Sequence, residues 1–387
     1  MQRLKHLQLL GLASLCGTFS LGCSSKAIDS SDEAEGPAPT EVESVVPQVV
    51  YTPNAKVDLS ATALAFNPTI EGELWVALRQ FPSGLPCTQT VDTGCAALPG
   101  AMAVVSDATS AAPSAEIKED GNSWHFMRRP AAMAWSEGLF FATCGEALTD
   151  NYEDDDIPYA GPVLWSSDPA IFGVEPLPDQ NGTHLDMLHE TPYCMGIAHE
   201  SDNAYWAFNG LAGSLDRVDF HAPHQIGGDN HDDGEVHRYI AGQLLRVPEV
   251  PSHLVYDKAR SLVYVVDTGH ARVLSVDPST ATPGDEIKRF EILAASGAMD
   301  GAKVNALIPA GQLERPSGIA LADDVLYVTD NATSRIHTFD VTGKALRTFD
   351  AGLPAGSLAG ITVGPDSSLY LTDLLTGSAY RVDIPAP

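Results

Sequence analysis

Apolar positions in this chain alternate with polar ones over short runs closed by glycine, proline, asparagine or aspartate, while helical periodicity is scarce. The clearest run is Arg315-Pro-Ser-Gly-Ile-Ala-Leu-Ala-Asp-Asp-Val-Leu-Tyr-Val-Thr-Asp330, followed by Ser334-Arg-Ile-His-Thr-Phe339. It reads as a short apolar strand, a polar turn, a β-branched and aromatic strand ending in Asp, and a strand opening on Arg-Ile. The same grammar returns from Val250 to Val273, from Leu358 to Ile384 and from Tyr193 to Phe220, and more weakly from Ala63 to Leu78 and from Pro130 to Thr143. Units that recur in this way stack into blades. The expected fold is all-β, a six-bladed β-propeller over residues 48–387. Because the last unit stops after three strands at Ile384, its outer strand is expected from the N-terminal side, from Val49-Val-Tyr51 or Lys56-Val-Asp-Leu59. That strand would hide an edge otherwise open to aggregation.

The units resemble NHL-type propeller repeats, whose pattern is Pro-x-Gly-Ile-Ala, then Leu-Tyr-Val-x-Asp, then Arg-Ile. The match is close in the last three units, partial in the third and weak before about Thr191. The resemblance implies a shape shared with the gluconolactonase and regucalcin group and with peptidyl amidating lyases. It does not carry their activities, since one fold hosts many functions.

The N-terminus departs from this pattern. Arg3 and Lys5 precede an uncharged, Leu-rich stretch from Leu7 to Leu21, too short to span a bilayer. It ends in Phe19-Ser20-Leu21-Gly22-Cys23, which resembles the bacterial lipobox, with Ser20 where Leu is usual. The resemblance implies a signal peptide over residues 1–22, a lipid on Cys23 and, from Ser24, sorting to the outer membrane of the cell envelope. An ordinary secretory cleavage leaving a free Cys23 is the alternative. Residues 23–47 are rich in Ser, Asp, Glu and Pro and lack the apolar surface to offset ordering, so an acidic disordered tether is expected there. Its reach is on the order of 30 Å.

Charge narrows the partners. A formal net charge of −29 excludes nucleic acid and leaves the lipid anchor as the contact with a membrane. The remaining partner is an unidentified small molecule or envelope protein. Export places Cys87, Cys95, Cys144 and Cys194 in an oxidising compartment, where disulfides are the first expectation: a local staple for Cys87 and Cys95, and a bridge between adjacent blades for Cys144 and Cys194. A soft-metal site is the alternative for the second pair.

Two places could carry chemistry. Aligning the units puts Asn209, Asp267, Asp330 and Asp373 around one mouth of the central channel, with His253 where sister units carry Gly196, Gly318 and Gly360. His253 there is a ligand or general base, or a space-filler bonded to backbone. Glu146, Asp150, Glu153, Asp154, Asp155 and Asp156 form an acidic run near the same mouth, a calcium site or a solvated loop. The second place is the insertion from His221 to His237 between the third and fourth strands of blade three. Asp229-Asn-His231-Asp-Asp233-Gly234 has the oxygen alternation of a calcium loop, but Ile240 stands where the bidentate Glu belongs. His221, His224, His231 and His237 suit zinc or copper better. A plain hydrophilic loop is the other reading. The sequence contains no nucleophile elbow, phosphate loop or His-Glu-x-x-His motif. The functional expectation is a ligand-binding or scaffold module at the envelope, with a divalent metal (calcium, zinc or copper) as a possible cofactor. The alternative is a metal-dependent hydrolase, lactonase or lyase working at the channel mouth.

Overall fold

The computed structural model describes residues 41–54, 58–81, 99–150, 157–174 and 181–384. Six sheets form in chain order, each antiparallel through the four strands of its blade, and their first strands touch one another in ring order until the sixth meets the first. The protein is a six-bladed β-propeller. Blade one comprises Asp58–Phe66, Leu74–Phe81, Gly100–Ser106 and Ser114–Lys118; blade two comprises Pro130–Trp135, Phe140–Gly145, Val163–Ser166 and Asp186–Met187. Blade three begins at Cys194–Ser201, blade four at Leu254–Asp257, blade five at Pro316–Ala322 and blade six at Leu358–Val363.

The alternation read from the sequence explains the core. Side chains on each face of a blade pack against the neighbouring blade, as Trp206 and Phe208 of blade three do against Leu254, Val263 and Val265 of blade four. Between blades one and two the filling is aromatic, with Trp75, Trp135, Phe141 and Phe172 at ring separations of 5.1 to 5.5 Å. Near the axis the blades approach so closely that a side chain has no room: a Cβ on Gly196 would lie 2.2 Å from the Ser252 carbonyl oxygen, and one on Gly318 would lie 2.2 Å from that of Ala359.

Closure follows the expectation. Gln48–Tyr51 pairs antiparallel with Ala379–Val382 as the outer strand of blade six, burying Val50 and Tyr51. Asp58 and Leu59, part of the other candidate segment, instead open the first strand of blade one. Removing the chain through Tyr51 is therefore expected to expose the Ala379–Val382 edge and make the protein aggregate on refolding, as read by size-exclusion chromatography beside the intact chain.

The expectation of a disordered tether over residues 23–47 needs correction at its C-terminal end. Val42–Ser44 forms a fifth, parallel strand on blade five, against Thr348 to Asp350. Two forces outweigh the polar composition there: Glu43 forms a two-point ion pair with Arg347 at 2.7 and 2.6 Å, and Val45 is buried. The other unexpected strands arise within blade four but extend blade three: Ala295–Asp300 pairs parallel with Glu235–Tyr239, and Thr282–Pro283 pairs antiparallel with Ala295–Asp300 beyond it.

Cys144 and Cys194 form a disulfide that joins the second strand of blade two to the first of blade three across a sequence separation of 50. Cys23, Cys87, Cys95 and the acidic residues Glu153 to Asp156 lie outside the described residues. Among the described residues no helix is long and apolar enough to cross a membrane.

Candidate metal centre

The residues aligned at the channel mouth are occupied in holding the fold. Asp267 accepts from the Leu245 amide, His270 and Arg272; Asp330 accepts from the amides of Glu314, Arg315, Ala332 and Thr333. Asp373 accepts from the Leu375 amide and the Thr376 hydroxyl, while Asn209 accepts from two turn amides and donates to Asp216. Asn209, Asp330 and Asp373 each close the turn after their own strand, which is why the repeat favours Asp or Asn there, whereas Asp267 ties the Leu245 amide of the preceding crossing to His270 and Arg272. His253 cannot tuck under a neighbouring carbonyl as glycine does. Its Nε2 lies 3.0 Å from the Ala131 carbonyl oxygen of blade two, and burial lowers its pKa to about 4, so the ring is neutral.

Near this mouth the carboxylate of Glu146, with no exposed side-chain surface, accepts from Arg79 at 3.1 Å, Arg129 at 3.5 Å and Arg246 at 2.7 Å. Glu249 pairs with Arg79 and Arg129 and gives its amide to Glu146. Asp150 of the same acidic run is buried, which raises its pKa to about 8 even though Arg128 opposes the shift. These groups bind blades and crossings to one another, and no open carboxylate set for calcium results from Glu146 and Asp150.

A different constellation forms beside the outer strand of blade two. His184 and His189 flank Asp186–Met187. His224 and His231 approach from the blade-three insertion, and Glu291 from the long loop of blade four that doubles back to blade three. His184, His224 and His231 each offer a ligand atom, all within 4.8 Å of one another, and His189, His231 and Glu291 do the same. The surrounding cavity, about 490 Å³, is walled by Trp124, Phe126, Tyr159 and Ile292 as well as by His184, His189, His231 and Glu291.

The ring nitrogens are sorted. His184 Nδ1 lies 2.9 Å from the Asn181 carbonyl oxygen and His224 Nδ1 lies 2.6 Å from that of Gln225; His231 Nδ1 lies 3.0 Å from Glu291 Oε2. An oxygen acceptor at Nδ1 selects the tautomer whose Nε2 carries the lone pair, the device that orients imidazole ligands in metal sites. The Nε2 atoms of His224 and His231 are buried without a partner. That is a costly state for polar atoms, and a bound ion would relieve it.

Packing sets the rings. Phe126 stacks on His184 at 3.7 Å and Tyr159 on His189 at 3.8 Å. Burial lowers the pKa of His184 to about 3, reinforced by His224 and His231, and burial also lowers His189 and His224. These imidazoles are neutral near pH 7, as ligands must be. His231 is the exception: burial pulls it down, but the hydrogen bond and charge of Glu291 raise it overall. Glu291, despite its own burial, is held at about 2 by His189 and His231.

The candidates from the insertion are thus divided. His224 and His231 enter the cluster, and Asp229 lines its cavity. His221 faces Glu235 at 3.4 Å, His237 lies within the strand Glu235–Tyr239, and Asp233 accepts the Ala222 amide. His184, His189 and Glu291 escaped the sequence reading. The density of histidines between residues 184 and 231 is the signal that could have found two of them.

No family model matches this chain. No curated protein matches it either. Solved structures do. An auxiliary nutrient binding protein from Bacteroides ovatus is 10% identical, with 89% of this chain and 78% of that one covered and a TM-score of 0.51. The calcium-binding protein regucalcin from Agrobacterium tumefaciens is 13% identical over 89% of this chain and 95% of that one, at a TM-score of 0.48. Virginiamycin B lyase from Staphylococcus aureus is 11% identical over 88% of this chain and 100% of that one, at 0.44. The shared property is the fold. At such identities a shared propeller says nothing of what is bound.

Proposed function

We propose that this protein is a lipid-anchored binding propeller of the bacterial envelope that holds a borderline transition-metal ion, zinc or copper, through His184, His224 and His231. One observation carries the reading: three imidazoles from two blades offer ligand atoms within 4.8 Å of one another, each with its Nδ1 near an oxygen acceptor. Imidazole suits zinc and copper, whereas calcium requires six to eight oxygens. Three protein ligands leave a coordination position for a small donor molecule, and two of them line the cavity. The lipobox-like Cys23 and the acidic segment after it support display near a membrane.

The alternative, hydrolysis or lyase chemistry at the channel mouth, loses its footing because Asn209, Asp267, Asp330 and Asp373 are engaged in hydrogen bonds that brace turns and crossings, and His253 in one to a backbone carbonyl. Titrating protein purified without chelators with Zn(II), Cu(II) and Ca(II) in a calorimeter tests the proposal. The expected result is one zinc or copper ion per chain and no calcium. Absence of saturable zinc or copper binding by folded protein would refute it.

A further inference from the structure

The cavity contains a second ligand set, and its chemistry differs from the first. His189 Nδ1 and His231 Nδ1 lie 2.9 and 3.0 Å from the same oxygen, Glu291 Oε2. Such spacings fit two N–H donors on one carboxylate. Ligand atoms at right angles around an ion with bonds of about 2.0–2.2 Å, the tetragonal geometry of copper(II), lie at similar spacings. This set is braced: Tyr159 stacks on His189, Glu291 Oε1 accepts the His189 amide at 2.6 Å, and Glu190 Oε1 accepts the Phe290 and Glu291 amides at 2.5 and 3.3 Å. The His189 side chain is 3% exposed.

We propose that His189, His231 and Glu291 form a second seat for the same ion, overlapping the three-imidazole seat through His231, so that one ion exchanges between two positions. The inference rests on the reading of His184, His224 and His231 as ligands. Exclusion follows from the chemistry of a neutral imidazole, which has one lone pair. With the His231 proton on Nδ1 and directed to Glu291, Nε2 is the donor and serves the three-imidazole seat. With that proton moved to Nε2, Nδ1 becomes the donor and Glu291 is freed to ligate. His189 makes the same exchange of tautomers. The proton changes nitrogen within each ring, so the transfer consumes no net proton. Two doubly charged ions held so closely would repel, and a ring bound through both nitrogens would have to lose its last proton. A seat of two imidazoles and one carboxylate is harder than one of three imidazoles and ranks metals differently. Two unequal seats sharing a ligand suit uptake and release better than permanent storage.

The experiment uses the full chain, copper and zinc, with stoichiometry by metal analysis, affinity by chelator competition and copper coordination by paramagnetic resonance. Wild type should take one ion. His184→Ala with His224→Ala should still take one ion, roughly 100-fold more weakly, with two nitrogens and an oxygen as ligands; adding Glu291→Ala should remove it. Glu291→Gln in the wild-type background should retain the three-nitrogen signal. Two ions in wild type, or none in the folded double variant while wild type holds one, would overturn this inference alone. No ion in wild type would overturn the three-imidazole reading and this one with it. Unchanged circular dichroism for each variant establishes that the fold is intact.

Discussion

Replacing His184, His224 and His231 together by alanine is expected to abolish zinc and copper binding, and His231→Ala alone is expected to weaken it by ~100-fold or more, since even orienting groups outside the ligand sphere are worth 10- to 100-fold. His231 should be the most damaging single site because it belongs to both ligand sets and links the blade-three insertion to Glu291. His221→Ala and His237→Ala serve as controls: neither residue belongs to either ligand set, and both should bind as wild type. Chelator-competition titrations followed in the ultraviolet read the affinities. Equal losses at His221 and His231 would indicate general binding by a histidine-rich surface. The substitution at His184 also removes the stack on Phe126, so its affinity should be compared alongside its unfolding midpoint.

Glu146→Gln is expected to destabilise the propeller by about 3–5 kcal/mol, the range for removing one partner of a buried charge network. The carboxylate is wholly buried and bonds Arg79, Arg129, Arg246 and the Glu249 amide, joining residues of blades one and two to the crossing that precedes blade four. An amide is uncharged and can accept through one oxygen only, leaving buried guanidinium groups short of a counter-charge. Arg79, 1% exposed, already has Nη2 without a partner and depends most on the remaining bonds. Urea unfolding should show the midpoint falling with an unchanged slope. A loss under about 1 kcal/mol, the value of exposed pairs, would show that the cluster is solvated and not a clamp. Metal affinity should be unaffected, because Glu146 belongs to neither ligand set.

The blades were legible because the units repeat: Leu326-Tyr-Val-Thr-Asp330 and Leu369-Tyr-Leu-Thr-Asp373 display the alternation of a strand and the Asp that closes its turn. The Cys144–Cys194 bridge was legible for the same reason, since the alignment placed both residues at one mouth on adjacent blades. Outer strands were harder to read. Asp186–Met187 is two residues long and carries no periodicity, and Ala295–Asp300 is defined by pairing with a blade that lies earlier in the chain. The histidine cluster depends on those same elements, so its parts are separated in sequence. Within the insertion, the oxygen alternation from Asp229 to Gly234 resembles a calcium loop while its histidines suit zinc or copper, and His224 and His231 find their partners outside the insertion. The channel residues illustrate the converse: a periodic Asp is visible because folding requires it, and visibility of that kind does not mark a ligand site.

The central claim is most directly tested by the metal content of the protein as isolated from its own cells without chelators, measured by inductively coupled plasma mass spectrometry beside the triple variant at His184, His224 and His231. The account predicts close to one zinc or copper ion per wild-type chain and none in the variant. A metal-free native protein, or equal metal in both, would contradict it.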